Sequence, residues 1–80
     1  MTKKEYILDS LVDDDEAKTQ IMEYFQYNAI FITEKELDLL LDEMLIEELI
    51  TINWQWKNEY DEYPYSLTNK GREAWYKIKE

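Results

Sequence analysis

An α+β fold, mostly helical, is predicted for this sequence: three helices, a two-stranded β-hairpin and a closing C-terminal helix. Three observations predict it. Apolar residues recur at helical spacing as far as Leu45, the period changes to two between Ile50 and Lys57, and Thr68 opens a last helical pattern. No repeat, low-complexity tract or linker interrupts the 80 residues, and the one Gly and one Pro both fall late, so residues 1–80 are expected to form a single domain.

The first helix is expected over residues 3–12, with Ile7, Leu8, Leu11 and Val12 on its apolar side. Asp13-Asp14-Asp15-Glu16 follows. Consecutive carboxylates can hold a divalent cation, but this run lacks the alternating spacing and the glycine of a calcium loop, and acids in a first turn suit the helix dipole. Asp13 is therefore read as the cap of a second helix, residues 14–27, with Glu16 reaching back to it and Ala17, Ile21, Tyr24 and Phe25 along one side. Thr33 and Glu36 have capping-box spacing for a third helix, and Ile32 stands where a hydrophobic staple would. Leu37, Leu40, Leu41, Met44 and Leu45 form its core stripe; Glu48 would fall inside that stripe, so the helix should end near Glu47.

Ile50, Ile52, Trp54 and Trp56 then alternate with Thr51, Asn53, Gln55 and Lys57 as a half-buried strand. Residues 58–62 make a polar turn, Tyr63, Tyr65 and Leu67 form the return strand, and Pro64 marks its edge. Thr68 caps the last helix, where Ala74, Trp75 and Ile78 are apolar and Trp75 is expected to fill the junction with the hairpin. The aromatic crowd of Trp54, Trp56, Tyr60, Tyr63, Tyr65, Trp75 and Tyr76 is read as cross-strand pairing and packing against that helix.

Composition narrows the chemistry. There is no Cys and no His, which removes thiol nucleophiles, zinc–thiolate sites and the commonest general base. No enzymatic function, cofactor or metal is expected. No apolar run approaches the length of a membrane span, so no membrane role is expected and the location is read as cytoplasmic. Nine Lys+Arg against nineteen Asp+Glu gives a formal charge of −10. That charge is uneven: residues 34–63 carry ten acids against Lys35 and Lys57, whereas residues 64–80 hold Lys70, Arg72, Lys77 and Lys79 against Glu73 and Glu80.

The helix bearing Leu37-x-x-Leu40-Leu41-x-x-Met44-Leu45, followed by Leu49-Ile50 opening a strand, resembles the winged helix-turn-helix superfamily. The stretch from Tyr65 through Leu67, Thr68 and Gly71 is similar to the Y-x-L-T-x-x-G that closes the wing in MarR- and PadR-type regulators. The resemblance covers about residues 3–79. It implies a sequence-specific transcription regulator whose third helix enters the DNA major groove, with the wing tip at residues 57–63 touching the backbone or the minor groove.

Charge argues against that implication. DNA affinity rests on Lys and Arg at phosphates and on Arg, Asn, Gln or Lys at base edges. The third helix instead carries Glu34, Glu36, Asp38, Asp42, Glu43 and Glu47 with Lys35 as its single base, and the wing tip carries Glu59, Asp61 and Glu62. Leu39 and Ile46 project from the side opposite the core stripe, as apolar anchors within a charged rim would. A protein–protein role is therefore expected, with Asp38, Leu39, Asp42, Glu43, Ile46, Glu47, Glu59, Asp61 and Glu62 as the contact residues. The partner would carry a basic surface, or be a second copy of the chain. In the sharper form, acidic side chains mimic nucleic acid and block a nucleic-acid-binding protein, as small phage or mobile-element inhibitors of the anti-CRISPR or anti-restriction type do. Direct DNA binding is not expected on this reading. The alternative is a DNA-binding transcriptional regulator that works as a dimer and meets phosphates with Lys70, Arg72, Lys77 and Lys79.

Overall fold

The computed structural model describes residues 1–79, in the order α1 (Lys3–Leu11), α2 (Lys18–Tyr27), α3 (Glu34–Ile46), β1 (Ile50–Ile52), β2 (Tyr65–Leu67) and α4 (Asn69–Lys79). The fold is the winged helix-turn-helix expected from the sequence. Its core gathers Ile7, Leu8 and Leu11 of α1, Ile21 and Phe25 of α2, Leu37, Leu41 and Met44 of α3, and Ile50 of β1. Tyr6 and Tyr24 meet Phe25 edge-on, each with ring centroids 6.2 Å away.

Helix α2 starts at Lys18, not at residue 14. Asp13 does not cap it. The reason lies in the sheet: Glu16 and Tyr65 exchange both backbone hydrogen bonds, at 3.2 and 2.9 Å, so the segment before α2 runs extended beside β2. Ala17 becomes the residue before the helix, and its N–H is taken by the Gln20 side chain at 2.9 Å. Among the described residues, no group of acids stands close enough together to hold a metal ion.

Helix α3 begins as expected, with Thr33 Oγ1 accepting the Glu36 N–H at 3.1 Å and Ile32 buried ahead of it. Glu36 does not complete the capping box; its carboxylate takes Lys3 Nζ at 2.8 and 2.9 Å. The helix ends in a Schellman turn, with the Leu49 N–H on the Met44 carbonyl and the Glu48 N–H on the Leu45 carbonyl. Glu48 stands at φ 62°, a conformation normally given to glycine. Helix α2 ends in the same way at Ala29, φ 56°.

Strands β1 and β2 pair antiparallel, Ile50 opposite Leu67 and Ile52 opposite Tyr65. Both strands are shorter than the sequence pattern predicts: β1 ends at Ile52, and β2 begins at Tyr65 and leaves Tyr63 outside it. Asn53 closes one more rung to the Pro64 carbonyl at 2.8 Å, then its own side chain accepts the Gln55 N–H at 2.9 Å. That local turn competes with the ladder and wins, so Trp54 and Trp56 lie outside the sheet. The cross-strand pairing expected of the aromatics is replaced by one edge contact across the loop, Trp54 to Tyr63 at 4.8 Å. Asn58 shapes the tip by accepting the N–H groups of Tyr60 and Glu62 at 3.0 and 2.9 Å.

Thr68 caps α4 as expected, accepting the Gly71 N–H at 3.0 Å, while its hydroxyl donates to the Glu48 carbonyl at 2.5 Å. Ala74, Trp75 and Ile78 pack on the core. Trp75 does not fill the helix–hairpin junction. Its indole N–H reaches across to Asp9 of α1 at 3.0 Å, because α4 lies along α1. No helix among the described residues is long and apolar enough to cross a membrane.

Candidate functional site

At 100° per residue, Lys35, Leu39, Asp42 and Ile46 share an arc of about 60° on α3, opposite the buried Leu37, Leu41 and Met44. The strip runs about 16 Å along the helix. Leu39 is 56% exposed and Ile46 82%, so neither packs on α1 nor lies beneath the wing. Nothing in the fold covers them.

The remaining acids of α3 flank this strip, and lysines from the other helices are drawn onto them. On one flank Lys18 Nζ lies 2.8 Å from both Glu34 and Asp38. On the other, Lys3 pairs with Glu36 at 2.8 Å, and Lys4 spans Glu43 and Glu47 at 2.9 and 3.0 Å. These contacts raise the Lys4 ammonium, chiefly through Glu43, and the Lys18 ammonium, chiefly through Asp38. Exposed pairs of this kind add little stability. Their effect is on the surface field: the α3 acids other than Asp42 each have a cation within 3 Å, and the continuous negative ridge that mimicry requires is broken.

The sequence-selected residues therefore divide. Leu39, Asp42 and Ile46 stand together on the outer strip, while Asp38, Glu43 and Glu47 belong to the ion-paired flanks. At the wing tip Glu59 is exposed, and Asp61 pairs with Lys57 at 3.1 Å. Glu62 is used inside the fold: its carboxylate accepts the Thr19 N–H and hydroxyl at 3.3 and 3.0 Å and ties the wing to α2. Trp54, Trp56 and Tyr60 are exposed on the wing, and Lys57 Nζ lies 4.9 Å from the centre of the Tyr63 ring.

The C-terminal basic residues do not form one patch. Lys70 Nζ donates to the Glu47 carbonyl at 2.8 Å, at the end of α3, whereas Arg72 reaches the Val12 carbonyl at 3.4 Å. Lys79 lies over the Trp75 ring and 3.6 Å from Asp9. The three neutralising lysines, Lys3, Lys4 and Lys18, were not selected from sequence. Their partners lie 16 to 43 positions away, and no local spacing rule reports such contacts.

No family model matches the chain, and no curated protein matches it by sequence. Solved structures do resemble it. A PadR family transcription regulator from Clostridium difficile superimposes with a TM-score of 0.85 at 22% identity, over 96% of this chain and 82% of that one. A PadR-like transcription factor from Bacteroides fragilis gives 0.81 at 18% identity, over 95% of this chain and 75% of that one. Bacillus subtilis PadR, solved in complex with operator DNA, gives 0.77 at 20% identity, over 94% of this chain and 45% of that one. These likenesses overturn the expectation of a nucleic-acid mimic acting on a basic protein partner, and with it the exclusion of DNA as a partner: the neighbours are transcription regulators, one of them held on DNA. The physical reason is the pairing just described. Net charge read from sequence counted the α3 acids as free, and the fold places a lysine against most of them.

Proposed function

We propose that this chain is a DNA-binding transcription regulator that works as a dimer, with α3 in the major groove and the wing against the backbone. The likeness to PadR-type regulators, one of them solved on operator DNA, supports this reading and favours a non-enzymatic role. The observation that carries it is the outer face of α3, an uncovered strip whose flanking carboxylates are already held by Lys3, Lys4 and Lys18.

A helix is about 10–12 Å across with its side chains, which suits a major groove about 12 Å wide. Phosphate contacts fall to Lys35 at the start of the strip, Lys70 at its end and Lys57 on the wing, each on an exposed stem. Two copies of the chain would set their α3 helices in successive grooves about 34 Å apart, reading a palindromic site. The direct test is selection from a random duplex library followed by titration at physiological salt and measurement of the mass of the complex. A sequence-dependent complex holding two chains is expected. Binding that is absent or indifferent to sequence overturns the reading.

A further inference from the structure

The outer strip of α3 offers an unusual set of base-reading groups. It has no Arg, Asn or Gln, the side chains that make bidentate bonds to purine edges. What it presents are two uncovered aliphatic side chains, Leu39 and Ile46, with Asp42 between them. Asp42 is the α3 acid that no described lysine holds, so its carboxylate is available as an acceptor.

The major groove displays one apolar group, the C5-methyl of thymine, and one donor suited to a carboxylate, the cytosine N4 amine. We propose that Leu39 and Ile46 read thymine methyl groups and that Asp42 accepts from a cytosine between them; this rests on the DNA-binding function proposed above. Seven residues of α-helix separate the two aliphatic side chains by about 10 Å, the length of about three base-pair steps when the helix lies along the groove. The recognised half-site is therefore a short element with two thymines about three positions apart and a cytosine within it.

Apolar contact also resolves the charge problem at the groove floor. A methyl group is read by burial of hydrocarbon, which requires no cation, and a carboxylate placed against the N4 amine points away from phosphate. The acidic composition that weakens phosphate contact therefore leaves this mode of reading intact.

The test uses the full chain and the best duplex from the library selection. Each thymine is replaced in turn by deoxyuridine, which pairs identically and lacks only the methyl group. In each half-site two positions should each lose about four-fold in affinity, the worth of one buried methyl. Leu39→Ala should abolish the thymine-over-uracil preference at one of them and Ile46→Ala at the other, with binding to the uracil duplex retained. Asp42→Asn should relax the preference for cytosine. All three side chains are exposed, and unchanged urea unfolding midpoints confirm that each variant folds. Sequence-specific binding that is indifferent to every uracil replacement overturns this inference and leaves the proposed function standing. Failure to bind any duplex overturns both.

Discussion

A Cβ placed on Gly71 would stand 2.0 Å from the carbonyl oxygen of Leu49 and 3.2 Å from the Leu67 side chain. The first turn of α4 therefore rests directly on the corner between α3 and β1. Thr68 fastens the same corner, its N–H on the Leu49 carbonyl at 3.2 Å and its hydroxyl on that of Glu48. The wing and α3 meet here, so their relative position depends on the absence of one carbon atom.

Gly71→Ala is expected to cost about 3 kcal/mol or more, since the blocking atom is backbone and cannot step aside. Thr68→Ala should cost about 1 kcal/mol, the usual value of a cap. Urea unfolding of both variants reads the difference, and a Gly71→Ala variant as stable as the parent would show that α4 sits elsewhere.

Asp9 joins three helices: its carboxylate accepts from the Tyr24 hydroxyl and from the Trp75 indole N–H at 3.0 Å, with Lys79 at 3.6 Å. The Tyr24 hydroxyl, more than any other neighbour, holds this carboxyl below the usual range, against the opposing effect of burial. A lowered folded value means the stabilisation is full above the unfolded value and is lost as pH falls through the folded one. Asp9→Ala should cost about 2 kcal/mol at neutral pH, because two part-buried donors lose their acceptor. The gap from the parent should close as unfolding is repeated at progressively lower pH in the acid range.

Glu16 behaves in the opposite sense. Burial, reinforced by Asp14, Glu23 and Asp15, raises its carboxyl, so its charged form opposes folding at neutral pH. Glu16→Gln should stabilise the fold at pH 7, with the advantage vanishing as pH falls below the unfolded carboxylate value. A series of thermal melts across that range checks both the sign and the convergence.

Two helices end on left-handed residues that carry side chains, Ala29 and Glu48. Relief of this conformation by glycine outweighs the added entropy of the unfolded chain. Ala29→Gly and Glu48→Gly should each stabilise by about 0.5–1 kcal/mol, with no change in denaturant m-value.

On the proposed dimeric reading, three phosphate contacts per protomer make six in the complex, and log affinity should fall with log salt with a slope of about −5. Lys4→Ala and Lys18→Ala should weaken duplex binding although neither lysine lies on the outer strip, because each frees two α3 carboxylates to face phosphate. Their stability should change by less than about 1 kcal/mol. Equal DNA affinity in both variants would show that the flanking pairs play no part at the interface.

Periodicity and caps alone determined α1, α3, α4 and the presence of a hairpin between α3 and α4. The Leu37–Met44 stripe, the Thr33 and Thr68 caps and the alternation after Ile50 are local patterns, set by bond geometry and the need to satisfy free N–H groups. The exposure of Leu39 and Ile46 was legible in the same way, as the far side of a one-faced helix. Tertiary structure decided what lay between such patterns. Whether Asp13–Glu16 would cap α2 or run beside Tyr65 depended on a strand about fifty residues away, and Trp54 left its strand because an Asn53 side chain outcompeted one more rung. Above all, the charge presented by the α3 surface was not a property of α3 alone. Lys3, Lys4 and Lys18 reach its acids only once α1 and α2 have packed, and Coulomb interaction acts on distance in space, which a count of charges along the chain does not contain.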